Sequence, residues 1–273
     1  MSARNSKANK SAARERLRQE RERQAKKDKT RRQLIVIAST IGVLAAAGGI
    51  SYGIMQANKP SHWESAADAS DITAPKNTEG KNGTTVVIGK PSAKKTLELY
   101  EDSRCPVCAT FEQAVGETVK KDVDAGKYKV KYIGATFIDG DKSINGQGSK
   151  NALSALGAAL NVSPEAFMSY KSALYSQPFH PKESDDTFAK DSYLLKVADS
   201  VPALKNNSEF KKNVEDGTFD AWAMKMSAVF DKSGVGGTPT LKMDGKKLSV
   251  GAQENPPLTV EEFNTVVDKA LKG

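Results

Sequence analysis

The stretch YEDSRCPVCATFE, residues 100–112, holds the two cysteines of this 273-residue chain, three positions apart. The segment KKTLELYED, residues 94–102, leads into it and predicts a strand that ends just before the first cysteine. Beyond the second cysteine, Phe111, Val115 and Val119 recur at helical spacing. The cysteine pair is therefore expected at the junction of a strand and a helix.

Further strands are expected before and after this junction. TTVVIGK (residues 84–90) and the alternating segment Tyr128–Ile138 predict one strand each. Residues 238–251 predict a hairpin, because Asp-Gly at 244–245 separates two strand-like runs. A mixed sheet is expected from these segments.

Helical spacing dominates the middle of the chain, where apolar residues recur at intervals of three and four. They are Leu153, Leu156 and Leu160; Phe167, Tyr170 and Leu174; Leu194, Leu195 and Ala198; and Trp222, Met226 and Phe230. A last amphipathic helix is expected over residues 259–271. We therefore predict an α/β domain over residues 83–273, with an all-helical insertion over about 140–232.

The net charge of +8 is confined to the N-terminal tail. Residues 1–32 carry 13 Lys or Arg and 4 acidic residues, a net of +9, whereas the rest of the chain is close to neutral. This tail contains no aromatic residue for base stacking and intersperses Glu among its arginines. We interpret it as a basic cytoplasmic tail and expect no nucleic acid as a partner.

Residues 33–55 contain no charged side chain and predict a transmembrane helix. A cleaved signal peptide is the alternative, since Ala45 and Ala47 form an A-x-A pattern. The apolar run continues past that point, which favours an uncleaved single-pass anchor. Because basic flanks stay inside, the N-terminus is expected in the cytoplasm and the α/β domain outside the cell membrane. Residues 56–82 are polar and predict a flexible tether.

Three interpretations of Cys105 and Cys108 can be compared. A structural zinc site needs four ligands, and only His62 and His180 are available as further soft or borderline donors. A structural disulfide would close so short a loop that it would stabilise the fold little. A redox pair suits the position, because the first thiolate of a C-x-x-C at a helix start is stabilised by the free N–H groups there.

The rest of the chain supports the redox interpretation. Pro106 suits the first helical position, where no backbone N–H is needed. In GVGGTPTL, residues 234–241, the peptide bond between Thr238 and Pro239 can be cis, and a proline at a strand edge leaves neighbouring backbone groups free to pair with a peptide. We expect no metal and no cofactor beyond the disulfide itself.

YEDSRCPVCATFE and GVGGTPTL together resemble the thioredoxin superfamily, and the helical block between them is similar to the DsbA-like branch. The stretch TTVVIGKPSAKKTLELYEDSRCPVC, residues 84–108, resembles in particular the membrane-anchored DsbA-like proteins of Gram-positive bacteria. The resemblance implies a thioredoxin-like fold with a helical insertion, preceded by one transmembrane helix. It also implies that Cys105 provides the attacking and leaving sulfur and Cys108 the resolving sulfur. Pro239 would be the cis-proline that faces them, and Thr238 would offer its backbone to the client.

Two residues depart from the family pattern. Val107 stands where the best-known DsbA proteins have a histidine, so a less oxidising pair is expected. Leu99 stands where many members carry a buried acid, and the pattern leaves open whether Glu98, Glu101 or Asp102 replaces it.

The function expected from the resemblance is oxidation of cysteine pairs in exported client proteins, followed by reoxidation by a quinone-linked membrane protein. A reductase or disulfide isomerase of the same fold is the first alternative. A tethered peptide-binding module with a structural disulfide is the second.

Overall fold

A computed structural model describes residues 15, 18, 21–24, 27 and 61–273. The chain divides into two units, Met1–Pro60 and Ser61–Gly273. The segment 33–55, expected to cross a membrane, lies outside the described residues. None of the helices that can be described is both long and apolar enough to span a bilayer.

The second unit is built on a sheet of five strands: β1 (Val86–Ile88), β2 (Thr96–Asp102), β3 (Lys129–Ala135), β4 (Thr240–Met243) and β5 (Lys246–Leu248). Their order is β1-β3-β2-β4-β5. β2 and β3 are parallel, and the other neighbours are antiparallel. β2 therefore lies at the centre of the sheet and delivers Cys105 from its carboxyl end.

The predicted turn at 244–245 is present: Asp244 has φ 51° and Gly245 has φ 77°, the left-handed values that a tight hairpin turn requires. β3 is shorter than the expected 128–138. After Ala135 the chain enters a 3-10 turn, Phe137–Gly140, because the Asp139 carboxylate accepts hydrogen bonds from the Ser149 and Lys150 amides at 3.0 and 2.9 Å. Asp139 therefore caps the next helix instead of continuing the strand.

Helix α1 (His62–Asp68) precedes the sheet, and helix α2 (Pro106–Ala125) follows β2 directly. Phe111, Val115 and Val119 of α2 are buried in the core, as their spacing predicts. The helix ends at Gly126, whose φ of 80° is left-handed and whose N–H returns to the carbonyls of the last turn.

The helical insertion lies between β3 and β4. It consists of α3 (Gly148–Val162), α4 (Pro164–Tyr175), α5 (Asp191–Ala198), α6 (Ser208–Glu215) and α7 (Asp220–Asp231), and the final helix α8 (Val260–Lys272) follows the hairpin. Its buried side chains belong to the same hydrophobic cluster as those of the sheet. Tyr132 of β3, for example, meets Phe167 of α4 edge to face, with ring centroids 5.1 Å apart. The insertion is therefore packed on the sheet as part of one core.

Residues 61–82 differ from the expected flexible tether. Trp63 of α1 is buried, and its Nε1 donates to Gln147 Oε1 at 3.0 Å. Asn77 Nδ2 donates to the Leu160 carbonyl at 2.9 Å. The polar composition misled the prediction because the apolar contacts of this segment come from scattered residues such as Trp63 and Ile72, without any periodic pattern. Residues 56–60 lie outside the described part of the chain.

Candidate active site

Cys105 is the N-cap residue of α2, and Pro106 is the first helical residue, as the sequence predicts. The backbone N–H of Cys108 points to Cys105 Sγ, with N and S 3.4 Å apart. Both cysteines are free thiols in this structure. The first is 6% exposed and the second is fully buried. A reacting partner can therefore approach only Cys105.

The two thiols differ in acidity. A hydrogen bond from the Cys108 thiol is the largest cause that lowers the pKa of Cys105 to about 6; burial opposes it, and the backbone N–H groups of Cys108 and Val107 add to it. Burial, by contrast, raises the pKa of Cys108 well above its usual value. Near neutral pH the pair thus holds one thiolate and one thiol.

Thr238 and Pro239 lie beside the cysteines, as the resemblance implies. Their peptide bond is cis, and the Cys105 thiol donates to the Thr238 carbonyl oxygen at 3.4 Å. The contact joins residues 133 positions apart in the chain. The loop before β4 therefore forms one wall of the site.

Val107 is 40% exposed and brings no charge to the helix terminus. Ile138 and Tyr175 pack with both cysteines in a small apolar cluster. Phe137, next to Ile138, is 44% exposed and stacks on Phe230 at 5.6 Å between ring centroids. The side of the two thiols that faces this cluster is therefore apolar.

The structure identifies the acid that the sequence left open. Leu99 is buried in the core, and Glu98 is part-exposed and pairs with Lys131 at 3.2 Å. Glu101 and Asp102 are both fully buried. Burial raises the pKa of Glu101 to about 7, although Lys171 opposes this shift. Among the acids considered, Glu101 is the one whose charge acts on both cysteine thiols.

Lys171 of α4 is a candidate functional residue that the sequence interpretation missed. Its Nζ lies 3.1 Å from Glu101 Oε2 and donates a short hydrogen bond to Glu112 Oε2. Burial lowers the pKa of Lys171, but the two carboxylates outweigh burial and raise it above its ordinary value. One signal was present: Lys171 follows Phe167 by four residues and thus lies on the apolar stripe of α4.

Asp102 and Arg104 form a second buried network beside the cysteines. Asp102 Oδ1 accepts from Ser149 Oγ at 2.6 Å, and burial raises the pKa of Asp102 to about 7. Arg104, 1% exposed, donates to Asp139 Oδ1 at 2.8 Å and to the carbonyl of Glu183 at 2.8 Å. This network ties the residue before Cys105 to the insertion.

A family model described as thioredoxin matches residues 81–269. The chain therefore belongs to the thioredoxin family. Disulfide bond formation protein D of Bacillus subtilis (strain 168) is 25% identical over 189 residues, covering 68% of this chain and 77% of the relative. The probable disulfide bond formation protein D of Bacillus cereus is 23% identical over 238 residues, 86% of this chain and 95% of the relative.

Solved structures show the same fold. Oxidised BdbD from Bacillus subtilis superimposes with a TM-score of 0.56 at 22% identity, over 75% of this chain and all of that one. MdbA, a thiol-disulfide oxidoreductase from Actinomyces oris, gives a TM-score of 0.57 at 20% identity, over 77% of this chain and 96% of that one. Within its family the protein is a DsbA-like thiol-disulfide oxidoreductase, which confirms the resemblance noted from the sequence.

Proposed function

We propose that the protein is a membrane-anchored, extracytoplasmic oxidase that introduces disulfides into exported proteins through Cys105 and Cys108. This proposal rests mainly on the difference in pKa and in accessibility between the two thiols. Cys105 has a pKa of about 6 and is the more accessible, whereas burial keeps Cys108 protonated. A thiol of low pKa is a good leaving group, so it releases a client disulfide readily.

The reaction proceeds in two exchanges. A client thiolate attacks Cys105 Sγ of the closed disulfide, the bond to Cys108 breaks, and Cys108 Sγ leaves with the electron pair and takes a proton. A second client thiolate then attacks the client sulfur of the mixed disulfide, and Cys105 leaves as a thiolate. Two electrons pass from the client to the cysteine pair, and the client gains one disulfide.

Glu101 supplies the proton that the departing Cys108 sulfur requires. With a pKa of about 7, its carboxyl is partly protonated near neutral pH. The charge of Glu101 also acts on Cys108. A buried thiolate is costly, so proton transfer at this step favours opening of the disulfide.

Thr238 and Pro239 bind the client backbone. Pro239 has no N–H to donate within the sheet, so an extended peptide can pair with the backbone groups of the loop that precedes β4. Cys105 lies against the Thr238 carbonyl, so a peptide bound here presents its cysteine to Cys105.

Residues 33–55 anchor the protein with its basic tail in the cytoplasm and its α/β domain outside. A quinone-linked membrane protein reoxidises the cysteine pair. The uncharged Val107 makes the pair less oxidising than one with histidine at this position, because an imidazolium would add to thiolate stabilisation.

The redox state of the pair in growing cells tests the direction of electron flow. Free thiols are alkylated before lysis, and the mass of the protein counts them. An oxidase is expected to be mainly oxidised; a mainly reduced pair would contradict the proposal and favour the reductase or isomerase.

Trapping separates the enzyme from a peptide-binding module. In the Cys108→Ala variant, clients are expected to accumulate in mixed disulfides with Cys105. A variant that traps no client yet retains full function would support the binding module instead.

A further inference from the structure

Two buried hydroxyls near the cysteines, those of Tyr132 and Tyr175, have no hydrogen-bond partner among the described residues. The neighbouring Glu101 carboxylate is paired with Lys171 Nζ at 3.1 Å. Most buried polar groups in proteins are hydrogen-bonded, so these two hydroxyls near the reacting thiols need a physical explanation.

Tyr175 reaches this position from the last turn of α4. It packs in the same apolar cluster as Cys105 and Cys108, and Lys171 Nζ lies 5.4 Å from its ring centroid. Since Lys171 also pairs with Glu101, the Tyr175 ring and the Glu101 carboxylate share Lys171 as a neighbour. The His180 ring lies 5.8 Å from the Tyr175 ring between centroids.

Tyr132 reaches the pocket from β3. It pairs in register with Leu99 of β2, whereas Glu101 pairs with Gly134. Residues two apart on neighbouring strands share a face of the sheet, so Tyr132 and Glu101 point to the same side. Gly134 leaves room first for Leu153 and then for the ring: a Cβ there would lie 2.4 Å from Leu153 Cδ1 and 3.2 Å from Tyr132 Cε1.

Two other buried tyrosines have hydrogen-bond partners for their hydroxyls. The Tyr170 hydroxyl donates to the Leu194 carbonyl at 3.0 Å, and the Tyr128 hydroxyl to Asp122 Oδ2 at 3.2 Å. Leaving Tyr132 and Tyr175 unpartnered costs stability that a phenylalanine would avoid. Their hydroxyls are therefore available as donors to a charge that forms only during the reaction.

We propose that Tyr132 and Tyr175 are positioning residues for the resolving thiol, and that their hydroxyls donate through an internal water to the Cys108 thiolate and to the Glu101 carboxylate. When an attacking thiolate bonds to Cys105 Sγ, the Cys105–Cys108 bond breaks, Cys108 takes the electron pair, and the Glu101 proton moves to its sulfur. The hydroxyls stabilise the negative charge on both atoms while the proton crosses. This step rests on the proposed function and adds no new reactant.

The test uses the oxidised full-length chain in detergent, opened by dithiothreitol and quenched with a thiol-alkylating reagent across a range of pH. Tyr132→Phe and Tyr175→Phe are each expected to slow opening by about three- to tenfold, and the double variant by more. Rates are compared after correction for the thiolate fraction of dithiothreitol.

The pH dependence adds a second readout. The rate is expected to fall as pH rises through about 7, the pKa of Glu101, because the proton donor is lost. Removing hydroxyls that stabilise the carboxylate raises that pKa, so the inflection moves to higher pH in the Phe variants. The titratable groups that surround Glu101, besides the two tyrosines, are Asp102, Cys105, Cys108, Glu112 and Lys171.

Tyr170→Phe and Tyr128→Phe are the matched controls, since each removes one buried or part-buried hydroxyl away from the cysteines. Both are expected to keep the wild-type rate and inflection. Unchanged rate and inflection in Tyr132→Phe and Tyr175→Phe would overturn this inference. If instead the wild-type disulfide exchanged with no client thiol, the proposed function itself would fail. The two failures are therefore distinguishable.

Discussion

Lys171 Nζ lies 3.1 Å from Glu101 Oε2 and also hydrogen-bonds Glu112, and all three side chains are almost wholly buried. They come from α4, β2 and α2, so one cation joins the insertion to the thioredoxin-like sheet and to the cysteine helix. A buried cation between two carboxylates holds these elements together only while the network is complete.

Replacing Lys171 with methionine leaves two buried carboxylates without a counter-ion. We expect a loss of about 3–5 kcal/mol in the free energy of unfolding, measured by urea titration at pH 8. At pH 5 the loss is expected to be smaller, because burial favours the protonated carboxyl of Glu101 there. Lys211→Met, which removes an exposed cation 3.7 Å from Glu215, is the control. Equal effects of the two variants would contradict the role of the buried network.

The reduced protein is expected to react with iodoacetamide at Cys105 with an inflection near pH 6. Cys108→Ala is expected to move this inflection to higher pH, because the Cys108 thiol is the largest cause of the lowered pKa. If the inflection does not move in the variant, the lowered pKa of Cys105 is due to the helix terminus and not to the Cys108 thiol.

The same shift makes the stability of the reduced protein depend on pH. The pKa of Cys105 is about 6 in the folded chain, against 9.0 for an unperturbed cysteine thiol. A lowered folded pKa stabilises the fold fully above the unfolded value, and this contribution is lost as pH falls through about 6. The reduced form should thus gain stability relative to the oxidised form between pH 6 and pH 9, as thermal unfolding of both forms can show.

Val107→His is expected to make the pair more oxidising. An imidazolium beside Cys105 stabilises the thiolate, and a fall of one unit in its pKa corresponds to a rise of about 30 mV in the reduction potential. Val260→His is the matched control, since Val260 is similarly exposed, at 41%, at the start of α8. Equilibration with glutathione measures both, and equal potentials would contradict this role of Val107.

Arg104→Met is expected to destabilise the fold by about 3–5 kcal/mol, because Asp139 would lose its buried guanidinium partner. Lys150→Met tests the same carboxylate from the other side, since Lys150 Nζ lies 3.8 Å from Asp139 and is partly exposed. A much smaller effect is expected there. If urea titration shows the same loss in free energy of unfolding for both substitutions, Arg104 is not the main partner of Asp139.

Prediction from the sequence succeeded where the signal is local. The strand before Cys105, the helix start at Pro106 and the hairpin turn at Asp244 and Gly245 all follow from neighbouring residues. It failed at residues 61–82, where Trp63 packs against residues far along the chain. The predicted length of β3 was wrong for a similar reason: the Asp139 carboxylate bonds to residues further along the chain, at the start of α3.

Alternation could not identify the acid beneath the cysteines, because β2 is buried on both faces at its carboxyl end. Its last four residues, Leu99 to Asp102, are all buried, since the insertion covers both sides, through Lys171 of α4 at Glu101 and through Ser149 of α3 at Asp102. Glu101 and Asp102 are therefore both buried, and only the residues that each one contacts show which of them lies beneath the cysteines. Glu101 faces Lys171, whereas Asp102 accepts from Ser149.

The sequence by itself determined the reactive pair and its local setting, because helix caps, turn residues and apolar periods act over a few positions. Only the tertiary structure decided what surrounds that pair. Lys171 is 70 positions from Glu101, and Thr238 is 133 from Cys105. No local rule connects such residues; the packing of the insertion against the sheet brings them within contact and thereby sets the charge on each sulfur.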